Sequence, residues 1–488
     1  MFGGVFPDLS IIAASVVFWS RKEPGRHRST ESGVGSARRS RPHSSEQIDQ
    51  SPHTQPDSDW GLRRIVDRLL DRLFRLVVVS GNLRIITARG AAFSYGDGSG
   101  QPVAIRFTSS RWEWAVILDP ELRIGEAYMY GGLVVEQGSI AAFLDLMTRN
   151  MSSRPPLPWS EFIAVVRHVL RRALKINNLR RARTNAKHHY DIDERIYRLF
   201  LDADMQYSCA YFEDERYSLE QAQEAKKRHI AAKLNLTEER LSVLDIGSGW
   251  GGLGLHIART YGASVVGINL SDEQLRVSSQ RAAAAKLPCE FRKCDYRQMT
   301  GTFDRIVSVG MFEHVGKRDY PTFFKKCHDL LAHDGMMLLH SVGRLHGPAD
   351  TNAWVWKYIF PGGHAPALSE LAPIIEKSGL ILSDVEVLRL HYAETLRHWR
   401  IRLLANRQEA LRIATSREFK HFVKGEAFLW MWEYYLAGFE ASFRNYGLCV
   451  FQILLSKKLQ TVPMTRDYMY DQRQTPAVAR RSTSLRLV

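Results

Sequence analysis

The densest cluster of chemistry-bearing residues is the run VLDIGSGWGG at 243–252. A β-branched stretch ends at Asp245, and Gly247, Gly249, Gly251 and Gly252 precede a helix-forming segment. Glycines there let the backbone turn tightly and approach a ligand closely, and the first turn of a helix offers unpaired N–H groups. Loops of this kind serve NAD, FAD and other nucleotides alike. The GxGxGG spacing departs from the strict dinucleotide pattern, and no Walker lysine follows.

The sequence downstream narrows the choice. The strand-like run VVGINL ends at Asn269 and Leu270, with Gln274 one turn into the next helix, where polar groups suit ribose hydroxyls. A further run ends in CDYRQM and sets Asp295, Tyr296 and Arg297 where an adenine would lie. Open α/β sheets bind ligands beyond the carboxyl ends of their strands, so these positions converge on one pocket, and S-adenosylmethionine fits them best. Other reactive types are less telling alone. Glu313 and His314 follow an apolar strand and suit a structural ion pair. His340, within MMLLHSV, suits a satisfied core histidine, and Cys209 a small buried hydrophobe.

The elements that must hold these residues follow from periodicity. Between 241 and about 345, apolar runs (SVLDIG, ASVVGINL, CEFRKCD, RIVSVG, MMLLHSVG) alternate with helical segments, which predicts a parallel doubly wound sheet. Residues 346–456 read as mostly helical and aromatic, and 459–488 as a disordered tail. Upstream, Leu62, Ile65, Val66, Leu69, Leu70 and Leu73 recur at helical spacing. LRIIT, AAFSY, VAIRF and WAVIL then read as strands, with GDGSG as a turn. The expected layout is a disordered tail over 1–59, a small α+β domain over 60–150, a basic helical linker over 151–187 with PPLP (155–158) ahead of its helix, and a catalytic domain over 188–458. The linker carries Arg167, Arg171, Arg172, Lys175, Arg180, Arg181, Arg183 and Lys187 with apolar residues at near-helical spacing. It is either an ordinary surface helix or one that adsorbs to anionic headgroups.

Composition limits the partners. The 488 residues carry a formal net charge of +15, which favours an anionic partner. There is no zinc-finger spacing, no RNA-binding aromatic motif and no prolyl-cysteine for base methylation, so nucleic acid is not expected. Five cysteines, with no CxxC pair, predict neither a disulfide framework nor a metal site, and favour a reducing compartment. The apolar run SIIAASVVFW at 10–19 is shorter than the ~20 residues of a spanning helix. Arg21 and Lys22 follow it rather than precede it, so export is not expected.

HYDIDERIYRLFLDADMQYSCAYF (189–212), VLDIGSGWGG, DRIVSVGMFEHVG (304–316), MLLHSVG (337–343), YIFPGG (358–363), HYAETLRHW (391–399) and MWEYYLAGFEASFR (431–444) resemble the cyclopropane-fatty-acyl-phospholipid synthase family, which includes the mycolic acid cyclopropane synthases. The likeness runs over roughly 188–457. LDPELRIGEAYMYGGLVVEQGSI (118–140) also resembles the amino-terminal lipid-associated domain of the bacterial phospholipid enzymes. The resemblance implies an α/β, Rossmann-like S-adenosylmethionine methyltransferase domain with that small α+β domain in front. It implies that Tyr207 and Ser208 cover the methyl donor, with Asp245, Gly247, Gly249, Asn269, Leu270, Gln274, Tyr296 and Arg297 lining its pocket. It implies a bicarbonate ion held by the backbone at Cys209 and Val342 and by the side chains of Glu313, His340 and Tyr392. The implied partners are an unsaturated phospholipid and an anionic membrane surface, met peripherally at the cytoplasmic face; a homodimer is one expectation for the assembly.

The chemistry suits those residue types. Methyl transfer from a sulfonium to an alkene leaves a carbocation, and loss of a proton from the new methyl closes a three-membered ring. A held bicarbonate takes that proton without trapping the cation covalently. Aromatic faces at Tyr207, Tyr211, Phe212, Phe312, Phe360 and Tyr392 are candidates to stabilise it. A dry channel suppresses quenching by water. The alternative is acyl-chain methylation without ring closure, or N-methylation. Five positions depart from the family pattern: Asp193 and Glu194 replace a Gly-Asn pair, Phe439 a frequent cysteine, Val342 an isoleucine and Asn269 a threonine. Covalent chemistry by a cysteine at 439 is thereby excluded.

Overall fold

The computed structural model describes residues 58–152, 193–236 and 240–474. The apolar run at 10–19, the tail to 57, the basic linker helix at 161–187 and the end of the chain from 475 lie outside the described residues.

Of the stripe expected along helix α1 (Ser58–Val77), Val66, Leu70 and Leu73 are buried, joined by Phe74, whereas Ile65 and Leu69 are exposed. Strands β1 (Leu83–Ile86), β2 (Ala92–Tyr95) and β3 (Val103–Phe107) follow, then helices α2 (Ser110–Leu118) and α3 (Pro120–Met129), strand β4 (Leu133–Gln137) and helix α4 (Ile140–Ser152). The sheet order is β2-β1-β3-β4, with β1 and β3 parallel and the other pairs antiparallel. WAVIL, expected as a strand, is the second half of α2. A short apolar run fits either period, and here the buried residues Glu113 and Val116 stand three apart, on one helical face. The last strand is LVVEQ instead.

The second sheet builds the catalytic half. Helices α5 (Glu194–Arg198) and α6 (Leu219–Lys233) lead into β5 (Ser242–Ile246), α7 (Gly252–Tyr261), β6 (Ser264–Asn269), α8 (Asp272–Ala285), β7 (Cys289–Lys293), β8 (Phe303–Val309), α9 (Tyr320–Leu330) and β9 (Leu331–Arg344). Then come α10 (Ala353–Tyr358), α11 (Leu368–Ser378), β10 (Ile381–Leu388), α12 (His391–Ala405), α13 (Arg407–Thr415), α14 (Gly425–Asn445), β11 (Leu448–Ser456) and α15 (Asp467–Gln474). The order is β10-β11-β9-β8-β5-β6-β7.

Strands β5 to β9, from the stretch between 241 and 345, run parallel to one another, as their alternation with helices predicts. Two strands from the stretch read as mostly helical, β10 and β11, extend the sheet and make it mixed, because β11 runs antiparallel to both β9 and β10. Its sequence, LCVFQILLS, is almost continuously apolar and buried, as befits a strand covered on both faces. The stretch from 459, expected as a disordered tail, is ordered at least to α15: Met469 is buried, Arg466 pairs with Asp384 at 2.5 Å, and the Tyr468 hydroxyl donates to the Lys233 carbonyl.

The amino-terminal sheet unit is welded to the catalytic half at two places. Asn445 on α14 donates to the Asp145 carboxylate on α4 at 2.8 Å. Helix α3 meets α10 closely: the Glu126 carboxylate accepts from Lys357 (2.6 Å) and from the Tyr358 hydroxyl (2.9 Å), and Trp354, 1% exposed, lies against Gly125. A Cβ at Gly125 would stand 2.6 Å from the Trp354 ring. Gly125→Val should therefore force the two helices apart, at a cost of about 1–3 kcal/mol for overpacking. The check is the denaturation midpoint, which should fall; an unchanged midpoint would mean that the contact yields freely.

Candidate active site

The glycine loop turns where β5 ends. Gly247 N–H and Ser248 N–H both donate to the Ile268 carbonyl on β6 (2.9 and 3.1 Å), which folds the loop back over the neighbouring strand. Gly249 has φ +53° and a Cβ there would meet nothing within 4 Å, so it would project into open space. Gly252 is different: a Cβ would stand 2.3 Å from Asp204 and Gln206, so glycine is what lets residues 204–206 lie against the start of α7.

One cavity opens over these strand ends. It is lined by Tyr207, Ser208, Asp245, Gly247, Gly249, Asn269, Leu270, Gln274, Tyr296 and Arg297, all ten residues anticipated for the methyl donor, together with Gln206, Trp250, Asp295 and His314. Its polar wall is prearranged. Asn269 Nδ2 donates to Gln274 Oε1 at 2.7 Å while its Oδ1 accepts from Leu270 N–H at 2.7 Å. Arg297 is held by Asp295 at 2.8 Å. Asp245 is buried, and burial lifts its carboxyl to about 7.

Residues 206–212 form a strap whose first three residues, Gln206, Tyr207 and Ser208, line the cavity. Helix α6 grips it through Gln223, whose Nε2 donates to the Ser208 carbonyl (3.0 Å), and through the Ala222 carbonyl, which accepts from Tyr211 N–H (3.0 Å). From the other side, α12 accepts Ala210 N–H on Thr395 Oγ1 and Phe212 N–H on His391 Nδ1, each at 3.0 Å. Tyr207 stacks on Trp399 with centroids 5.1 Å apart and hydrogen-bonds Tyr435 at 3.2 Å. Cys209 is buried, which pushes its thiol well up and keeps it neutral.

Of the other candidate residues, His340 and Val342 lie near the carboxyl end of β9, Glu313 on the turn after β8 and Tyr392 on α12. Val342 N–H donates to Glu313 Oε1 at 2.5 Å, while Glu313 Oε2 is buried without a hydrogen-bond partner. His340 is 2% exposed. Its Nδ1 meets Gln452 Nε2 on β11 at 3.1 Å, and its Nε2 is buried without a partner. With the Gln452 amide as donor, the ring proton sits on Nε2. Burial raises the Glu313 carboxyl to about 7 and, with the cations Lys226 and Lys233, drives His340 well below its ordinary range. Tyr392 is buried against Phe443 (4.9 Å) and Trp399 (5.8 Å).

The aromatic candidates divide. Tyr207, Phe360 and Tyr392 belong to the apolar cluster around Trp399, Trp432 and Tyr435. Phe312 does not: it is fully buried among Tyr320, Phe323 and Phe324 on the other face of the sheet. Tyr211 stacks between His229 (4.1 Å) and His391 (4.8 Å), and Phe212 on His398 (5.8 Å). Phe439, the departure from the family pattern, fills space between Tyr435 and Phe360. Asp193 and Glu194 pair with Arg195, Arg198 and Arg276, tying α5 to α8. Sequence reasoning missed Lys226, Gln223, Thr395 and Gln452. Each is an ordinary residue in a helix or strand until the fold shows what it touches.

Among known proteins, a sequence profile described as mycolic acid cyclopropane synthetase matches residues 177–453. The cyclopropane-fatty-acyl-phospholipid synthase of Escherichia coli K12 is 32% identical over 405 residues, covering 83% of this chain and 95% of that one. A Pseudomonas putida protein named "Probable fatty acid methyltransferase" is 37% identical over 304 residues, covering 59% of this chain and 74% of that one. The mycolic acid cyclopropane synthase CmaA1, solved complexed with SAH and CTAB, aligns with a TM-score of 0.51 at 31% identity, over 56% of this chain and 97% of that one. A profile spanning more than half the chain, a relative matched over nearly its whole length and a shared fold agree: the chain belongs to the mycolic acid cyclopropane synthetase family and is an S-adenosylmethionine-dependent methyltransferase of the cyclopropane synthase type.

Proposed function

We propose that this chain adds a methylene from S-adenosylmethionine to the double bond of an unsaturated acyl chain in a membrane phospholipid, closing a cyclopropane ring. The observation that carries the reading is that two buried polar atoms lack hydrogen-bond partners: Nε2 of His340, on β9, and Oε2 of Glu313, on the turn after β8, whose other carboxylate oxygen accepts from Val342 two residues along β9 from His340. Buried polar groups are ordinarily satisfied, and two left open together fit a small oxyanion. A neutral His340 with its proton on Nε2 is a donor to it, and a Glu313 that titrates near neutrality can donate or accept. Bicarbonate bound there would supply a base for the proton lost from the new methyl. In this reading Tyr392 and the backbone at Cys209 and Val342 complete its cradle. Val342 N–H, now given to Glu313, would be shared when the ion is present.

The methyl donor supplies an electrophilic carbon on a sulfonium. The protein's part is to hold that carbon against the alkene, through the strap at Tyr207 and Ser208, and to keep water away from the cation that follows. Tyr207, Tyr392 and Phe360 offer it ring faces. Balance is simple: one carbon–carbon bond forms as the carbon–sulfur bond breaks, and a proton leaves as the second carbon–carbon bond closes the ring. The second reading, methylation without ring closure, draws on the likeness to the Pseudomonas putida protein. Mass spectrometry of lipids from a host expressing the chain separates them: ring closure adds one CH₂ and removes the alkene without a branch.

Gly249→Val places a branched side chain in a left-handed backbone position and in the space a ligand needs. Calorimetry should show S-adenosylmethionine binding abolished; equal affinity for variant and wild type would mean that the pocket is misplaced. Glu313→Gln and His340→Gln should each cut turnover about 100-fold or more, the range general-base catalysis spans, with donor affinity within a few-fold. Undiminished product in both would remove them from the site.

Glu313 also has a stability signature. Its carboxyl is raised from 4.5 to about 7 by burial, so the folded state prefers the protonated form. That contribution is complete below pH 4.5 and is lost as pH rises through about 7. Glu313→Gln, always neutral, should unfold at a higher temperature than wild type above pH 7, with the gap closing toward pH 4.5. A gap independent of pH would show that the carboxyl titrates normally.

Among the described residues no helix is long and apolar enough to cross a membrane, so contact with bilayer lipid is proposed to be peripheral. The net charge of +15 and the basic stretch at 161–187 support an anionic surface. Anionic vesicles should recruit the protein and ~0.5 M salt release it, as the Debye length falls well below 10 Å. Replacing Arg171, Arg172, Arg180 and Arg181 by Gln should weaken recruitment and spare donor binding. Equal, salt-insensitive binding to neutral vesicles would defeat the electrostatic account.

A further inference from the structure

Lys226 is a charged group that the proposed chemistry does not use. It sits on α6 with no exposed surface, a costly place for an ammonium unless its protons are bonded. Its Nζ donates to Gln206 Oε1 at 2.6 Å and to Ser208 Oγ at 2.9 Å. Both acceptors line the cavity and both lie on the strap. Successive residues of the strap have their partners on different sides. Gln206 and Ser208 turn toward α6, whereas Tyr207 and Cys209 turn toward the aromatic cluster. One residue further along α6, Lys227 holds Asp204 at 2.9 Å, and Asp204 in turn pairs with Arg281, which donates to the Trp250 carbonyl in the glycine loop at 2.8 Å.

We infer that Lys226 is a positioning residue for the methyl donor: by gripping Gln206 and Ser208 from behind, its ammonium holds the strap closed over the cavity and turns Tyr207 and Cys209 toward the reacting chain. The inference rests on the reading of this cavity as the donor site. An ammonium suits the task because one atom serves two acceptors two residues apart. Gln223, one turn earlier on the same helix face, takes the backbone carbonyl of Ser208. The side chain and the carbonyl of that residue are thus fixed independently. Burial lowers the lysine to about 8, while Asp202 and Asp204 act to keep it charged. The grip is therefore ionic in the neutral range.

The test is calorimetric binding of S-adenosylmethionine and S-adenosylhomocysteine to the full chain and to Lys226→Met, Ser208→Ala and the double variant, with steady-state kinetics on lipid vesicles. Hydrogen bonds to a charged group are worth enough for Lys226→Met to weaken donor affinity about tenfold to a hundredfold. The KM for lipid should stay within about twofold at saturating donor, a split that general loss of structure would not give. In the Ser208→Ala background the same substitution should cost less, since one of its acceptors is already gone. A folded Lys226→Met with wild-type donor affinity overturns the proposal, and so do losses that simply add. If Lys226→Met does not fold, Ser208→Ala combined with Gln206→Met removes both acceptors instead, and wild-type donor affinity there is equally fatal. A wild-type chain that binds neither compound would refute the reading of the cavity before any variant is compared.

Discussion

The antiparallel ladder between β11 and β9 sets the geometry on which the candidate site depends. Leu448–Ser456 pairs with Met336–Arg344 along its whole length, bringing Val450 opposite Val342 and Gln452 opposite His340. A strand slipped by one residue would turn Gln452 to the opposite face, and His340 would lose the partner that sets its tautomer. The same ladder fixes where α14 ends. That helix carries Tyr435 to the Tyr207 hydroxyl, Phe439 to Phe360, and Phe443 to Tyr392. The edge of β9, the strap and the aromatic cluster are thus positioned by one strand that returns to the sheet after a long helical excursion.

Burial then shapes the chemistry. Around the strap and the β9 edge the titratable groups are pushed toward their neutral forms: Glu313 and the Cys209 thiol upward, His340 downward, Tyr207 upward. The common cause is desolvation, which disfavours whichever form is charged. The lining therefore presents neither a thiolate at Cys209 nor a phenolate at Tyr207. The charge that is tolerated lies behind the strap, in the Lys226, Lys227, Asp204 and Arg281 lattice, where ions are matched to partners.

Much of this was legible in the sequence because it repeats local rules. Glycines at a strand end, polar residues at successive strand ends and alternating apolar runs located the cavity residues before any coordinates. The lapses share a cause: the deciding contacts are distant in the chain. WAVIL and the segment after 459 were misread because local pattern is silent on which face a neighbour will cover. Strand β11 was absorbed into a helical region because a continuously apolar run has no period to read. Phe312, one residue before Glu313, looked like part of the site. The short helical turn at Phe312–His314 sends its ring into the opposite core while the carboxyl reaches Val342. Nothing local in QEAKKRH marks Lys226; only the strap folded against it does.

The positions where this chain departs from its family pattern now acquire separate meanings. Asp193 and Glu194 act at the surface, where ion pairs to Arg195, Arg198 and Arg276 fix the entry to the strap through α8 rather than through a flexible Gly-Asn turn. Exposed pairs of this kind contribute little stability each, so their consequence is geometric. Asn269 spends both ends of its amide on Leu270 and Gln274, which a threonine could not do, and so sets the wall of the cavity before any ligand arrives. Phe439 is the departure nearest the proposed chemistry. It exchanges a small polarisable side chain for a ring packed at 4.9 Å on Tyr435 and 5.9 Å on Phe360. The substitution adds one more ring to the cluster that holds Tyr207 and Tyr392, while the ten residues expected around the donor still line the cavity.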